Sequence, residues 1–169
     1  MKTNTIDVLA LLAEQHSEVD ELFEAIEKGN GNKHELFDEL ADKLAAHAAI
    51  EEKIFYPAVM SKDTEEILHE SVEEHLSVKR LIADLLALDP EGDGDEFDAK
   101  ISVLKEQVSH HAHEEEEKEL FAKLRKSLSD DERSALGNEC LALFETLIKA
   151  EPRRNVPAET AEAASLPSL

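Results

Sequence analysis

The chain has 169 residues, the length of a single domain, and its 40 acidic against 18 basic side chains give a formal net charge of −22. This charge repels phosphate backbones and anionic lipid headgroups, and no apolar run approaches the ~18 residues that a membrane span requires. We therefore expect no nucleic-acid partner, no membrane partner and no signal peptide. The single cysteine, Cys140, cannot form an internal disulfide and favours a reducing, cytoplasmic location.

Residue usage and chain breakers predict an all-α protein. Glycine is rare, while leucine, alanine, glutamate and lysine, which favour helices, are abundant. The segments 29–32 and 89–94 are loop sequences, and Ser129 with Glu132 forms a capping-box pattern at a helix start. The predicted helices span residues 5–28, 33–60, 64–88, 96–127 and 129–150.

Four long helices joined by short loops predict an antiparallel, up-down-up-down four-helix bundle with an additional C-terminal helix. The bundle domain is expected to cover residues 1–150, with its core at 5–127 and the fifth helix at 129–150. The fifth helix would either dock on the bundle or mediate formation of a homodimer. The segment 151–169 contains three prolines among small polar residues and is predicted to be a disordered tail.

Eight histidines are unusual in so acidic a chain. At 100° per residue, His16, His47 and His75 each fall within the apolar stripe of a different predicted helix, and Glu51 falls on the same face as His47. Counted from the intervening loops, these histidines and His111 differ in depth by only about 3–5 Å, at a rise of 1.5 Å per residue. Four imidazoles from four helices are therefore expected at nearly one level of the bundle interior.

The fourth predicted helix carries two apolar stripes that a regular helix cannot bury together. The early stripe places His111 and Glu115 inside, whereas the late stripe places His113 and Glu117 inside. A kink, an overwound turn or a π-bulge in the middle of this helix would resolve the conflict, and such bulges often mark functional sites. The depth count favours His111 with Glu115, and a one-residue bulge after His111 would substitute Glu116 for Glu115.

Carboxylates buried at this level need a compensating cation. Burying a carboxylate without a nearby cation costs several kcal/mol. No lysine or arginine falls on the inner faces at that depth. A metal ion would supply the charge. Four imidazoles and two carboxylates without a thiolate suit two iron ions better than one tetrahedral zinc, whereas magnesium or calcium would prefer mostly oxygen ligands.

These residues also carry a family resemblance. Over about residues 5–127 the chain resembles the hemerythrin-like, or HHE cation-binding, family in the segments Gln15-His16-Ser17, His47-Ala-Ala-Ile-Glu51-Glu-Lys-Ile-Phe-Tyr-Pro57, Glu74-His75 and His110-His111-Ala-His-Glu-Glu-Glu-Glu-Lys-Glu-Leu-Phe121. The resemblance implies a four-helix bundle that holds a non-haem di-iron centre, with two oxo- or hydroxo-bridged iron ions and O₂ or a related small ligand. It implies as metal ligands His16, His47, Glu51, His75, His111 and Glu115.

The resemblance has one departure with functional meaning. Oxygen-carrying members have a second histidine on the third helix, one turn from the first, and here the candidate positions hold Ser71 and Lys79. One iron is therefore expected to have a different or open coordination position. We hypothesise a cytoplasmic protein that binds, senses or detoxifies O₂, nitric oxide or peroxide. The alternatives are a di-iron oxidoreductase that turns over peroxide or nitric oxide, and an iron-delivery protein.

Overall fold

The structure is a computed structural model that describes residues 5–169, and within this range it contains helices and loops but no β-strand. A first π segment (Glu51–Phe55) joins α2 to α3, a second π segment (His110–Leu120) joins α5 to α6, and a 3₁₀ helix (Pro152–Glu159) follows α7. No helix in the described range combines the length and apolar character needed to cross a bilayer. The α-helices are α1 (Val8–Lys28), α2 (Lys33–Ile50), α3 (Tyr56–Val59), α4 (Glu65–Leu86), α5 (Gly94–Ser109), α6 (Phe121–Ser127) and α7 (Asp130–Lys149).

Four helical rods form the bundle that the sequence predicts: α1, the continuous α2–α3 rod, α4 and the continuous α5–α6 rod. Local signals determine where these helices begin and end. Asp7 accepts a hydrogen bond from the Leu9 amide at 2.8 Å at the start of α1, and Gly29 ends α1 with a left-handed φ of 69°. The capping box before α7 is confirmed, since the Ser129 amide donates to Glu132 and the Glu132 amide donates to Ser129.

Apolar side chains fill the bundle in two layers, and each fully buried one contributes about 1.5–3 kcal/mol. The polar centre described below lies between the layers, so close packing on both sides holds its helices in place. The layer near the loop at 29–32 includes Phe23, Phe37, Leu40, Ile82 and Phe97. The opposite layer includes Leu12, Ile50, Phe55, Leu68 and Phe121.

The additional helix α7 docks on α1 and α2. The approach is close at Gly137, where a Cβ would lie only 1.8 Å from the Ile6 carbonyl oxygen, so that only glycine fits. Cys140, on the same helix, is fully buried in the apolar layer that contains Leu12. The helix thus completes the core of one chain, and its role in a homodimer stays a prediction.

The segment after α7 corrects the expectation of a disordered tail. Pro152–Glu159 is a 3₁₀ helix that packs on α2 and α4, with Pro152 and Val156 buried. Arg153 donates to the two carboxylate oxygens of Asp42, from its backbone amide at 3.0 Å and from Nη1 at 2.8 Å. Composition did not indicate this order, because the groove between α2 and α4 lets two buried side chains and the ion pairs of Arg153 hold a short, otherwise polar segment.

Candidate metal centre

Four histidines, one from each rod of the bundle, meet between the two apolar layers. His16 lies on α1, His47 on α2, His75 on α4 and His111 in the second π segment, and each is at most 8% exposed. Their Nε2 atoms face one another in two pairs, with 3.2 Å between His16 and His47 and 3.1 Å between His75 and His111. Neighbouring ligands on one metal ion are about 3 Å apart when each bond is about 2.1 Å long. The structure therefore brings together the four histidines that the sequence analysis selected.

Glu51 lies between the two histidine pairs. It is fully buried, and its Oε1 is 3.2 Å from Nε2 of His47 in one pair and 3.3 Å from Nε2 of His75 in the other. A carboxylate in this position can offer a ligand atom to metal held by either histidine pair. The first π segment begins at Glu51 itself, so the four-residue spacing from His47 remains that of a regular α-helix.

The second shared carboxylate is Glu116, and the structure places the expected Glu115 elsewhere. Glu116 is fully buried, and its Oε1 is 2.9 Å from Nε2 of His111 and 3.5 Å from Nε2 of His16. Glu115 turns toward His110 instead, with 3.0 Å between its Oε1 and Nε2 of that histidine. The cause is the second π segment, whose i→i+5 hydrogen bonds move the residue on the same face as His111 from the fourth following position to the fifth.

The π distortion resolves the conflict between the two stripes, in the form of the bulge that the sequence analysis considered. The remaining alternative pair, His113 with Glu117, lies at the edge of the centre. Glu117 Oε2 is 2.9 Å from Nδ1 of His16 and 2.6 Å from Nδ1 of His113. Nε2 of His113 is in turn 2.7 Å from Asp20. Polar contacts thus run without a gap from the partly exposed Asp20 to the buried His16.

The outer nitrogen of each clustered histidine contacts an oxygen atom. Such a partner accepts the Nδ1–H proton and leaves the Nε2 lone pair directed at the centre, as in metal-bound histidines. Periodicity did not identify these residues as partners. Three of them immediately precede or follow a selected residue along the chain, and the fourth, Glu117, was predicted only as an alternative inward carboxylate. The Nδ1 partners are Gln15 for His47 (2.6 Å), Glu117 for His16 (2.9 Å), Glu52 for His75 (3.1 Å) and Glu74 for His111 (3.1 Å).

The partners form a closed ring around the bundle. Gln15 on α1 holds the histidine of α2, and Glu52 on the α2–α3 rod holds the histidine of α4. Glu74 on α4 holds the histidine of the second π segment, whose Glu117 returns to the histidine of α1. Each rod therefore orients an imidazole on the next rod, so no histidine is positioned by its own helix alone.

Tyr56 also reaches the centre, which sequence analysis did not foresee. It is fully buried, and its hydroxyl lies 3.4 Å from Nε2 of His75, from Nε2 of His111 and from Oε2 of Glu116. Burial, with the negative charges of Glu116 and Glu51, raises the pKa of this phenol well above its usual value, so the hydroxyl keeps its proton. The available signal was the spacing of five residues from Glu51, which one π turn places on the same side.

The two positions at which a second histidine was sought serve other purposes. Ser71 Oγ is buried and donates to the carbonyl of Ile67 at 2.8 Å. Lys79 Nζ donates to Glu52 Oε1 at 2.9 Å, the same carboxylate that holds Nδ1 of His75. Burial would raise the pKa of Glu52, but His75 and Lys79 outweigh it and lower that pKa. Lys79 thus stabilises the charge of an outer partner.

Before a metal binds, the buried carboxylates favour the protonated form of His16 and His111. Burial favours the neutral form of His16, but the nearby carboxylate of Glu116 outweighs it and raises the pKa to about 9. The same carboxylate raises the pKa of His111 well above its usual value despite burial. Burial would raise the pKa of Glu51, but the charge of His47 holds it well below its usual value. A metal must therefore displace protons as it binds.

The nitrogen and oxygen donor atoms of the clustered histidines and glutamates lie close enough together to bind a metal ion. In the described part of the chain, three groups have donor atoms that all lie within 4.8 Å of one another. Two of these groups contain Glu51, and the third combines Glu74, His111 and Glu115. Both oxygens of Glu51 and Oε1 of Glu116 are buried without a hydrogen-bond partner in the described part of the chain. Burying such oxygens unpaired costs about several kcal/mol, which a cation at this point offsets. Imidazole and carboxylate without thiolate are ligands suited to iron and related metals.

An apolar cavity of about 40 Å³ adjoins the histidines. One water needs roughly 10–15 Å³ measured in this way, so the cavity has room for a ligand of a few atoms. The rods supply walls that are mainly aliphatic, and Val156 from the 3₁₀ helix completes them. The apolar lining includes Val19, Leu44, Val78, Ile82 and Val108.

Comparison with known proteins agrees with this fold and centre. The family model of the hemerythrin HHE cation-binding domain matches residues 7–124, which is most of the chain. The protein therefore belongs to the hemerythrin HHE cation-binding family, as its motifs indicated, and the all-α bundle predicted from the sequence is confirmed.

Two individual proteins resemble the chain. The crystal structure of a hemerythrin HHE cation-binding domain-containing protein from Mycobacterium kansasii shares the fold, with a TM-score of 0.73 and 24% sequence identity over 88% of this chain and 98% of that chain. A DNA nickase from a Nostoc species is 30% identical over 138 residues, or 80% of this chain. The present chain spans 38% of the length of that nickase.

Proposed function

We propose that this protein holds two iron ions at the centre and uses them to bind, sense or detoxify O₂, nitric oxide or peroxide. The observation that carries the proposal is the crossed sharing of carboxylates. Glu51 contacts His47 and His75, one histidine from each pair, and Glu116 likewise contacts His111 and His16. His16 with His47 would hold one cation and His75 with His111 the other, and the carboxylates of Glu51 and Glu116 would contribute to both.

Iron bound there supplies a redox-active cation with a position at which a small ligand can exchange. The chain's own groups prepare that position. The ring of Nδ1 partners keeps the four imidazoles turned inward. The aliphatic cavity gives a ligand of a few atoms room beside the histidines.

A second candidate is an oxidoreductase that turns over peroxide or nitric oxide at the same centre. Tyr56 favours it, because its hydroxyl keeps a proton within 3.4 Å of Glu116 and of two inward imidazoles. A buried proton donor at this distance can serve a reaction that consumes protons. Turnover of peroxide well above that of free iron, and lowered by Tyr56→Phe, would support this candidate over simple binding.

The relationship to a DNA nickase does not lead us to propose DNA nicking. A net charge of −22 opposes association with a phosphate backbone. Cys140, buried in the core as a free thiol, agrees with the cytoplasmic location that we also propose.

The test is metal content and the absorption spectrum after anaerobic loading with ferrous iron and exposure to air. We expect about two iron ions per chain and near-ultraviolet bands that shift when azide or peroxide is added. His47→Ala should lose iron, while the exposed His34→Ala serves as the matched histidine control and should keep it. Unchanged iron content in His47→Ala, or a preference for zinc after careful reconstitution, would contradict the proposal.

A further inference from the structure

The cavity beside the metal centre has one wall that does not belong to the bundle. Among its lining residues in the described chain, all except Val156 lie on one of the four rods. Val156 lies on the 3₁₀ helix Pro152–Glu159, beyond the residues 7–124 that match the family. It is fully buried and packs with the apolar layer that contains Phe37. This part of the cavity wall is therefore separate from the rods that hold the histidines.

The 3₁₀ helix packs on α2 and α4, but only two of its eight side chains, Pro152 and Val156, are buried. Arg153 pairs with Asp42 at 2.8 Å and with Asp38 at 3.5 Å, both on α2. On the other side of the segment, Arg80 of α4 donates to the carbonyls of Thr160 and Ala161 at 3.0 and 3.3 Å. The Arg80 contacts are exposed to solvent, where polar contacts are individually weak, whereas the Arg153–Asp42 pair is mostly buried. Segments held by few apolar contacts open more readily than the core around them.

We propose that Val156 controls access to the metal centre, with the 3₁₀ helix acting as a strap that opens to admit small ligands. This inference rests on the proposed function for the identity of the ligand, but the access path belongs to the chain itself. While Val156 is seated, only ligands small enough for the cavity can remain beside the histidines. The rate of entry is then limited by the fraction of molecules in which the strap is open.

Access can be measured first without metal. Ala45→Cys places a thiol on the cavity wall, and Cys140 is fully buried and serves as the slow internal reference. In the metal-free protein, methyl methanethiosulfonate should label the new thiol roughly threefold to tenfold faster when Val156→Ala or Arg153→Ala is added. In Val156→Ala, the labelling rate of a bulkier disulfide reagent should increase by a larger factor than that of methyl methanethiosulfonate. Val103→Ala, which truncates an exposed valine on α5, is the matched control.

The iron-loaded protein provides the second measurement. Stopped-flow mixing with azide should show faster association in Val156→Ala and Arg153→Ala than in the wild type and Val103→Ala, while iron content stays the same. Equal labelling rates in all variants, or equal azide rates in iron-loaded variants, would overturn the inference. If iron does not load, the proposed function fails, and the labelling experiment still decides whether Val156 controls access. Circular dichroism checks each variant, and Val156→Ala suffices should Arg153→Ala not fold.

Discussion

In the half of the bundle formed by α1 and the α2–α3 rod, His47 and Glu51 are four residues apart, whereas His111 and Glu116 in the other half are five apart. The first π segment begins at Glu51, so that only the end of the His47–Glu51 spacing reaches it, whereas the second π segment contains both His111 and Glu116. Both carboxylates nevertheless contact histidines from both pairs. The comparison shows that an added residue can be absorbed by widening the helix while the inward side chains keep their positions.

The halves also differ in how they orient their histidines. Gln15, a neutral amide, holds His47, whereas carboxylates hold the other three imidazoles. A carboxylate partner increases the basicity of a ligating imidazole more than an amide does. The half that contains the longer π segment therefore receives the stronger electrostatic support at both of its histidines.

The largest loss of bound iron is expected when Glu116, the carboxylate that the second π segment turns inward, is replaced. Glu116→Gln removes the charge shared by His111 and His16 and should lower iron content from about two ions per chain to one or none. The adjacent Glu115→Gln should keep the wild-type content, because its carboxylate faces His110. Metal analysis after identical loading checks this. Loss of iron in Glu115→Gln with retention in Glu116→Gln would show that the regular-helix assignment was correct.

The contact between His16 of one half and Glu116 of the other should make the stability of the metal-free protein depend on pH. His16 has its pKa raised from 6.5 to about 9, so its contribution is fully present below pH 6.5 and is lost as pH rises through 9. The corresponding stabilisation is of order 3 kcal/mol. Glu51, whose pKa lies well below 4.5, contributes above that pH and loses its contribution only in stronger acid.

Urea unfolding of metal-free wild type and His16→Gln, at pH 6 and pH 10, measures this contribution. The difference in unfolding free energy between the two proteins should shrink by about 3 kcal/mol at the higher pH. His34→Gln, at an exposed position, is the control for replacing a histidine. A difference that does not change with pH would mean that His16 is neutral in the metal-free protein.

Replacing different members of the ring of Nδ1 partners should lower the metal affinity by different amounts. Removing such a partner typically lowers metal affinity about 10–100-fold. Glu74→Ala should fall toward the upper end because it removes a charged acceptor, and Gln15→Ala toward the lower end because it removes a neutral one. Competition with a chromogenic chelator measures the affinities, and the exposed Glu73→Ala is the neighbouring control. Equal affinities in all three variants would argue against a role for the ring.

The smallest change in iron binding is expected from deleting Glu115. The deletion restores four-residue spacing between His111 and the carboxylate of Glu116, which lets the rod continue as a regular α-helix. Iron content should stay at the wild-type value, and the azide-shifted absorption bands should be retained. Loss of iron together with an intact helical circular dichroism spectrum would show that the centre requires the wider π geometry itself.

Much of this architecture could be predicted from local pattern. Apolar residues at helical spacing define four long amphipathic helices, and the loops between them place His16, His47, His75 and His111 at one level. The conflict between two stripes also indicated a distortion near His111, because a regular helix cannot bury two faces at once. The expected bundle, its family and its clustered histidines are therefore encoded within single helices and their lengths.

Tertiary contacts decided the rest. Whether Glu115 or Glu116 faces inward depends on the hydrogen-bond register of the second π segment, which packing of the whole rod selects. The ring of Nδ1 partners joins residues on different rods, and sequence periodicity carries no information about such pairs. Val156 can be buried only after α2 and α4 have come together and formed the groove that holds it. The sequence by itself determined which residues could meet at the centre, because helical periodicity is local, whereas contacts between helices decided which of them do.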